Sequence, residues 1–143
     1  MTVIDRSALV PYPAEAMYRL VNDIEAYPQF MEGCVGATVL RSSEQEIEAR
    51  LELAKGGMRY SFTTRNRLLP PDRIELSLVE GPFERFTGHW SFQPLGVEAS
   101  KVSLHLEFEM GGLLGVGARL MFNPVANHLV EALVRRANQL YGG

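Results

Sequence analysis

Residues 46–68 read EIEARLELAKGGMRYSFTTRNRL, and apolar and polar side chains alternate on both sides of the glycine pair Gly56-Gly57. A period of two is the pattern of a β-strand with one face in a core and the other in water. A glycine pair between two such runs is typical of a hairpin turn. The stretch therefore predicts two antiparallel strands that share one apolar face.

The same alternation extends over most of the chain. Apolar side chains recur at every second position in residues 74–78, 86–92 and 102–108, and Thr2–Val10 predicts a further strand at the N-terminus. Turn signals separate the runs, so we expect an antiparallel meander. These signals are Gly56-Gly57, Pro70-Pro71-Asp72, Gly81-Pro82 and Pro94-Leu95-Gly96.

Helical spacing appears on both sides of the predicted strands. Pro13 suits the start of a first helix, and Tyr27-Pro28 is predicted to end it. Its apolar face consists of Met17, Leu20, Val21 and Ile24.

The C-terminal segment, residues 113–141, carries a second apolar stripe at helical spacing. Pro124 predicts a kink in one long helix; the alternative is a cap at Asn123 with a second helix beginning at Pro124. The stripe needs an apolar partner, which the sheet face provides. The predicted fold is α+β of the helix-grip type, in which a curved antiparallel sheet wraps around a long C-terminal helix.

Composition narrows the class of protein. A chain of 143 residues with 46% hydrophobic and 22% charged residues predicts one globular domain over residues 1–143. A net charge of −3 gives no general affinity for DNA, and a single cysteine excludes an internal disulfide. We expect a cytoplasmic protein, because neither a signal peptide nor an apolar run of roughly 18 residues is evident.

Several motifs together resemble a known family. They are VNDIEAYPQF at residues 21–30, FTTRN at 62–66, GPF at 81–83 with GHWSF at 88–92, and RA at 136–137 with YG at 141–142. The chain resembles the START-like polyketide cyclase and lipid-transport superfamily, in particular its coenzyme Q-binding proteins and ribosome-association toxins of the RatA type. One departure is that Glu32-Gly33 precedes Cys34, where the family often carries Pro-Trp.

The resemblance implies a cavity between the sheet and the long helix that holds an apolar guest, with Gly88 and Ala49 leaving space. The alternating pattern alone fits a tightly packed core equally well. The residues that we expect to contact a guest are Tyr27, Phe30, Met58, Tyr60, Phe62, Thr64, Trp90, Phe92, Phe108, Met121, Val125 and Leu129.

The function that the resemblance implies is non-catalytic binding of a ubiquinone-like isoprenoid or another lipid, in support of cellular respiration. A first alternative is a toxin-like factor that binds the large ribosomal subunit and hinders subunit association. A second alternative is a polyketide cyclase or aromatase. If the protein binds such a lipid, we expect part of the cytoplasmic protein to lie at the periphery of the inner membrane.

Candidate catalytic groups are few. His89 and His105 lie on the predicted outward face, and His128 is a lone histidine on the helical stripe, so we predict a binding protein without cofactor or metal. Residues 111–117 are glycine-rich without the Lys-Ser/Thr pair of a phosphate loop, and their apolar members suit transient membrane contact. The cations Arg59, Arg65, Arg67 and Arg85 form either an RNA-binding patch or cross-strand ion pairs.

Overall fold

The computed structural model describes residues 2–111 and 115–142, which form a seven-stranded antiparallel sheet and four helices. The strands are β1 (Thr2–Val10), β2 (Cys34–Ser42), β3 (Glu46–Lys55), β4 (Met58–Leu69), β5 (Arg73–Glu80), β6 (Phe83–Pro94) and β7 (Ser100–Met110). The helices are α1 (Ala14–Asn22), a 3₁₀ helix (Ile24–Gln29), α2 (Gly115–Asn127) and α3 (Leu129–Tyr141).

The sheet is a meander of β2 to β7, and the N-terminal strand β1 pairs with β7 at one edge. Its order is β1-β7-β6-β5-β4-β3-β2, and every neighbouring pair is antiparallel. β3 pairs with β4 along the whole length of β3, with Leu51 opposite Phe62. The turn between them needs glycine, because Gly56 and Gly57 have φ values of 58° and 84°. The predicted hairpin and meander are confirmed.

The helices cover one face of the sheet and bury its apolar side chains. Met17 of α1, Leu104 of β7 and Leu133 of α3 are fully buried in one continuous core. Burying a side chain of this size contributes roughly 1.5–3 kcal/mol relative to leaving it in water. The curved antiparallel sheet with helices packed against it is the helix-grip fold, so the predicted fold class is confirmed.

The first helix ends earlier than the sequence pattern predicted. α1 stops at Asn22, because Asp23 leaves the helical region (φ −81°, ψ 66°) and its N–H bonds to the carbonyl groups of Arg19 and Leu20. Pro28 lies inside the following 3₁₀ helix instead of ending the first helix. The chain therefore turns just before the Tyr27-Pro28 segment.

The C-terminal stripe forms two helices, and the prediction of one helix kinked at Pro124 was wrong. Pro124 and Asn123 both lie within α2. The chain leaves helical geometry at His128 (φ −103°, ψ 5°), whose N–H still bonds to the carbonyl of Pro124 at 3.1 Å. α3 then begins at Leu129. The residues that were expected to provide membrane contact (Leu113 and Leu114, with the side chain of Val116) lie outside the described part of the structure.

None of the helices within residues 2–111 and 115–142 is both long enough and apolar enough to cross a membrane.

Candidate ligand cavity and its entrance

An apolar cavity of about 70 Å³, here called the inner cavity, lies between the sheet and the helices. Small side chains leave this space, since Ala49 of β3 and Ala126 of α2 both line it. The other lining residues are Val21, Ile24, Tyr27, Met31, Leu51, Leu53, Phe62, Thr64, Asn66, Leu76, Phe86, Trp90, Leu104, Leu106, Phe122, Val125 and Leu129.

Aromatic side chains hold two parts of the wall in place. The Phe62 ring packs against Phe83, Phe86 and Phe122, with centroid distances of 5.6, 6.1 and 5.6 Å. The Trp90 indole is stacked on Phe92 at 6.4 Å. These contacts fix the rings that border the cavity, because each ring also belongs to the surrounding core.

Two polar side chains of β4 interrupt the apolar wall. The hydroxyl of Thr64 donates a 2.9 Å hydrogen bond to Oδ1 of Asn66, and both residues are buried. The two side chains therefore satisfy part of their own hydrogen-bonding capacity within the apolar wall.

Tyr27 contributes a neutral polar group to the wall. Its hydroxyl donates to the backbone carbonyl of Val21. Burial, followed by the proximity of Cys34 and Asp23, raises the pKa of Tyr27 far above its ordinary value of 10.0. The phenol therefore stays protonated. Among the described residues, Tyr27 is the only titratable side chain of the inner wall.

A second space of about 420 Å³, here called the outer groove, lies next to the inner cavity and opens to solvent. Met31 and Val125 line both spaces, so they lie at the boundary between them. Gly33 approaches the same barrier, because a Cβ atom there would lie 3.0 Å from Cγ2 of Val125. The remaining groove residues are Glu32, Ala54, Lys55, Met121, Pro124, His128, Glu131, Ala132 and Arg135.

The structure brings half of the predicted contact residues together at the inner cavity. Met121 lines only the outer groove, and Phe30 lies outside both spaces, where the Arg136 guanidinium stands 5.4 Å from its ring centroid. The residues on the inner wall are Tyr27, Phe62, Thr64, Trp90, Val125 and Leu129.

Four predicted contact residues are placed elsewhere. Phe92 and Phe108 are in solid core, against Tyr18 at 5.5 Å and Phe122 at 4.8 Å. Met58 is 45% exposed and Tyr60 is half-buried, and both side chains approach Gly117 of α2 outside the two spaces. Alternation shows which residues share one face of a strand. It does not show which of these residues border a cavity.

Gly88 was expected to leave space, and this expectation was wrong. A Cβ atom at Gly88 would lie 2.4 Å from the carbonyl oxygen of His105 and 2.5 Å from Cδ2 of Leu106. The glycine allows close packing between β6 and β7. Ala126 was not among the predicted contact residues, and its position in the wall depends on how α2 lies over the sheet.

The histidines do not reach the inner cavity. His89 and His105 stack on the outward face of the sheet with ring centroids 5.4 Å apart. Burial, together with the positive charge of Arg73 and the proximity of His105, lowers the pKa of His89. His128 is exposed and lies 3.4 Å from Glu131. Within the described residues, no group of three or more potential metal ligands is present.

Cross-strand ion pairs occupy part of the outward face. Arg65 contacts Glu46 and Glu48, each at 3.2 Å, and Arg67 lies 3.7 Å from Glu75. The ion-pair interpretation is confirmed for these two arginines. Within residues 2–111 and 115–142, Arg59 and Arg85 have no carboxylate oxygen within 4.0 Å.

Sequence comparison identifies the relatives of this chain. The family described as polyketide cyclase/dehydrase and lipid transport matches residues 10–134. The ribosome association toxin RatA of Pseudomonas aeruginosa is 47% identical over 143 residues and 99% of both chains. The mitochondrial coenzyme Q-binding protein COQ10 of Dictyostelium discoideum is 25% identical over 92% of this chain and 66% of that protein.

Solved structures show the same fold. The Zhui aromatase/cyclase from Streptomyces sp. R1128 superposes with a TM-score of 0.82 at 19% identity, over 99% of this chain and 98% of that chain. An 18 kDa protein from Caulobacter crescentus gives a TM-score of 0.73 at 27% identity over the full length of both. The chain therefore belongs to the polyketide cyclase/dehydrase and lipid transport family, in the START-like group that includes the RatA and coenzyme Q-binding proteins.

Proposed function

We propose that the protein binds a hydrophobic small molecule, a ubiquinone-like isoprenoid or another lipid, in the inner cavity. The observation that carries the proposal is the apolar wall, in which Thr64 and Asn66 form one buried polar pair. Ligand sites of this kind combine apolar surface with a few placed polar groups. The family's lipid-transport description and the coenzyme Q-binding relative support the same class of guest.

The inner cavity has to widen before it can hold such a guest. Its 70 Å³ is less than the roughly 150 Å³ of an engineered protein cavity that binds benzene. Met31 and Val125 are the two residues that line both this cavity and the 420 Å³ outer groove. Their displacement joins the two spaces, so we place the entrance for the guest between the loop after the 3₁₀ helix and α2.

Binding without catalysis agrees with the chemistry of the wall. General acid–base catalysis needs a titratable group within reach of the reacting atoms. Among the described residues, the inner wall offers only Tyr27, whose raised pKa keeps it protonated. Under this proposal, the protein acts as a cytoplasmic carrier. It exchanges its guest at the inner membrane and so supports respiration.

The proposal is tested by the lipid that the purified protein carries. Mass spectrometry of an organic extract of protein purified under native conditions should find a quinone or isoprenoid lipid below one equivalent. Ala126→Leu, which places a larger side chain in the cavity, is the matched control and should carry less. Equal lipid content in both proteins, or none in the unmodified protein, would contradict the proposal.

Ribosome association is the second candidate, because RatA of Pseudomonas aeruginosa matches 99% of this chain at 47% identity. The outward face carries exposed arginines on β4, including Arg67 with a side chain 70% exposed. In a sucrose gradient of cell lysate we expect this candidate to give co-sedimentation with the large subunit, weakened by Arg67→Glu. Arg19→Glu on α1 serves as the control. Protein found only at the top of the gradient would exclude the candidate.

A further inference from the structure

Strand β1 has a neighbouring strand on one side only. It pairs with β7 from Thr2 to Val10 and lies at the edge of the sheet. Within residues 2–111 and 115–142, no backbone group outside β7 hydrogen-bonds to the backbone of this strand. Every second residue of an edge strand points its N–H and C=O groups away from the sheet. The open edge of β1 therefore offers a row of backbone donors and acceptors that matches an added strand.

A groove of about 430 Å³, here called the edge groove, lies between β1 and the C-terminal helices. None of its residues lines the inner cavity, although Glu131 and Arg135 also line the outer groove. The edge groove is thus a site apart from the inner cavity. Its residues on β1 are Arg6, Ser7 and Ala8, and those on the helices are Asn127, Val130, Glu131, Val134 and Arg135.

The edge groove carries two guanidinium groups that lack an anionic partner. Arg6 donates through Nη2 to Oδ1 of Asn127 at 2.8 Å and through Nη1 to the carbonyl of Asp5 at 3.3 Å. Its guanidinium therefore lies beside the backbone of the open edge. Among the described residues, neither Arg6 nor Arg135 has a carboxylate oxygen within 4.0 Å. Glu131, the acidic residue of the groove, lies 3.4 Å from Nδ1 of His128.

We infer that the edge groove binds an extended acidic segment of a protein partner, which adds to the sheet as a strand beside β1. Main-chain hydrogen bonds to an open edge give such complexes their affinity, and side chains at alternate positions give specificity. A carboxylate of the added strand pairs with Arg6. A second copy of this chain fits less well, because it would bring the same two guanidinium groups to the contact.

The side chains of β1 specify the segment further. Val3 and Leu9 are 55% and 71% exposed on the outward face, whereas Arg6 points to the helices. Each of the two apolar residues is three positions from Arg6. Directly opposite residues of paired strands share a face, so the partner should carry apolar residues three positions before and after its carboxylate. This inference stands or fails independently of the proposed function.

Two capped peptides test the inference. TVTTETTVT carries the carboxylate and both apolar residues, and TVTTKTTVT differs from it only in the central side chain. Both are titrated to millimolar concentration into the ¹⁵N-labelled full chain and followed by nuclear magnetic resonance. TVTTETTVT should slow hydrogen exchange at the β1 amides that point away from β7. It should also bind about fivefold tighter or more than TVTTKTTVT, because an exposed ion pair is replaced by repulsion.

The matched variants are Arg6→Glu and Arg50→Glu. Arg6→Glu should reverse the preference, so that TVTTKTTVT binds tighter. Arg50 is an exposed arginine of β3, and Arg50→Glu should keep the preference for TVTTETTVT. The peptide pair and the hydrogen exchange of the unmodified protein decide the matter if Arg6→Glu does not fold.

Four results would overturn the inference. The first is that neither peptide binds the unmodified protein, or that both bind equally. The second is binding without slower exchange in β1. The third is a dimer that Arg6→Glu dissociates, which would assign the edge to a second copy. The fourth is an oligouridylate that shifts the edge-groove resonances while neither peptide does, which would assign the groove to RNA.

Discussion

Trp90 is the residue at which the packed core meets the inner cavity. Its indole is 3% exposed and stacks on Phe92 at an interplanar angle of 14°. The indole also lines the 70 Å³ space, so it belongs both to the core and to the cavity wall. Its position couples stability to ligand binding.

We therefore expect Trp90→Ala to lower the free energy of unfolding by about 3–5 kcal/mol, as for other buried aromatic side chains. Trp90→Phe keeps a ring on Phe92 and should cost less. Urea denaturation followed by circular dichroism measures both. A loss below about 1 kcal/mol for Trp90→Ala would mean that the indole faces open space, since truncation in a packed core costs several times more.

His89 allows a test of the outward face. Burial is the largest cause of its lowered pKa, followed by the positive charge of Arg73 and the proximity of His105. The carboxylates of Glu75 and Asp5 raise the pKa by smaller amounts. A folded-state pKa below 6.5 means that folding favours the neutral ring. The contribution of His89 to stability is thus present above pH 6.5 and is lost as the pH falls through the folded pKa.

Nuclear magnetic resonance titration of the imidazole protons should place the pKa of His89 below its ordinary value of 6.5. Arg73→Gln should raise this pKa but not restore the ordinary value, because burial is the larger cause. A value at or above 6.5 in the unmodified protein would contradict the described surroundings of the ring.

Among the secondary-structure elements, the loop after the 3₁₀ helix and α2 form the barrier at the entrance. Met31 from the loop and Val125 from α2 line both the inner cavity and the outer groove. Gly33 holds the loop close to α2 with φ of 90°, a backbone conformation that side-chain-bearing residues rarely adopt. Truncation at this barrier should join the two spaces.

Met31→Ala should therefore speed association of 2,3-dimethyl-1,4-naphthoquinone with the protein. Its matched control is Met121→Ala, because Met121 is buried to the same extent but lines only the outer groove. Both variants should lose about 2–5 kcal/mol of stability. Stopped-flow quenching of Trp90, the one tryptophan of the chain, measures the rate. Equal association rates in the two variants would place the entrance elsewhere.

Strands β3 to β7 could be predicted from the sequence because each contains five or more residues of alternation, and glycine or proline turns separate consecutive runs. The helix ends could not. Asp23 and His128 interrupt the helical path without a side-chain cap at either position, so local sequence carries no signal for the breaks. Packing of the helices on the sheet decides both positions.

For the molecule as a whole, the inner cavity depends on the distance between the sheet and α2. Period-two alternation predicts that Phe62 and Trp90 share a face with Phe92 and Phe108, and all four are buried. It does not predict which of them border a space, because this depends on small side chains of elements far apart in sequence. Ala49 and Ala126 leave that space, although 77 positions separate them.

Two alanines on the C-terminal helices test whether the space is real. Ala126 lines the inner cavity, whereas Ala137 is fully buried and lines neither space. Ala126→Leu adds three carbon atoms to the cavity and should stabilise the protein by about 1–2 kcal/mol, which is the cavity term expected for roughly 70 Å³. Ala137→Leu forces the same atoms into packed core and should destabilise it by about 1–3 kcal/mol.

Ligand response then separates a binding cavity from an unused void. At a probe concentration of about 100 times Kd, 2,3-dimethyl-1,4-naphthoquinone should raise the melting temperature of the unmodified protein by roughly 5–10 °C. Ala126→Leu should abolish this rise because the added side chain occupies the site, while Ala137→Leu should keep it. If Ala126→Leu destabilises the protein as much as Ala137→Leu does, the helices pack on the sheet without usable space. In that case the carrier function is excluded, and ribosome association becomes the leading explanation.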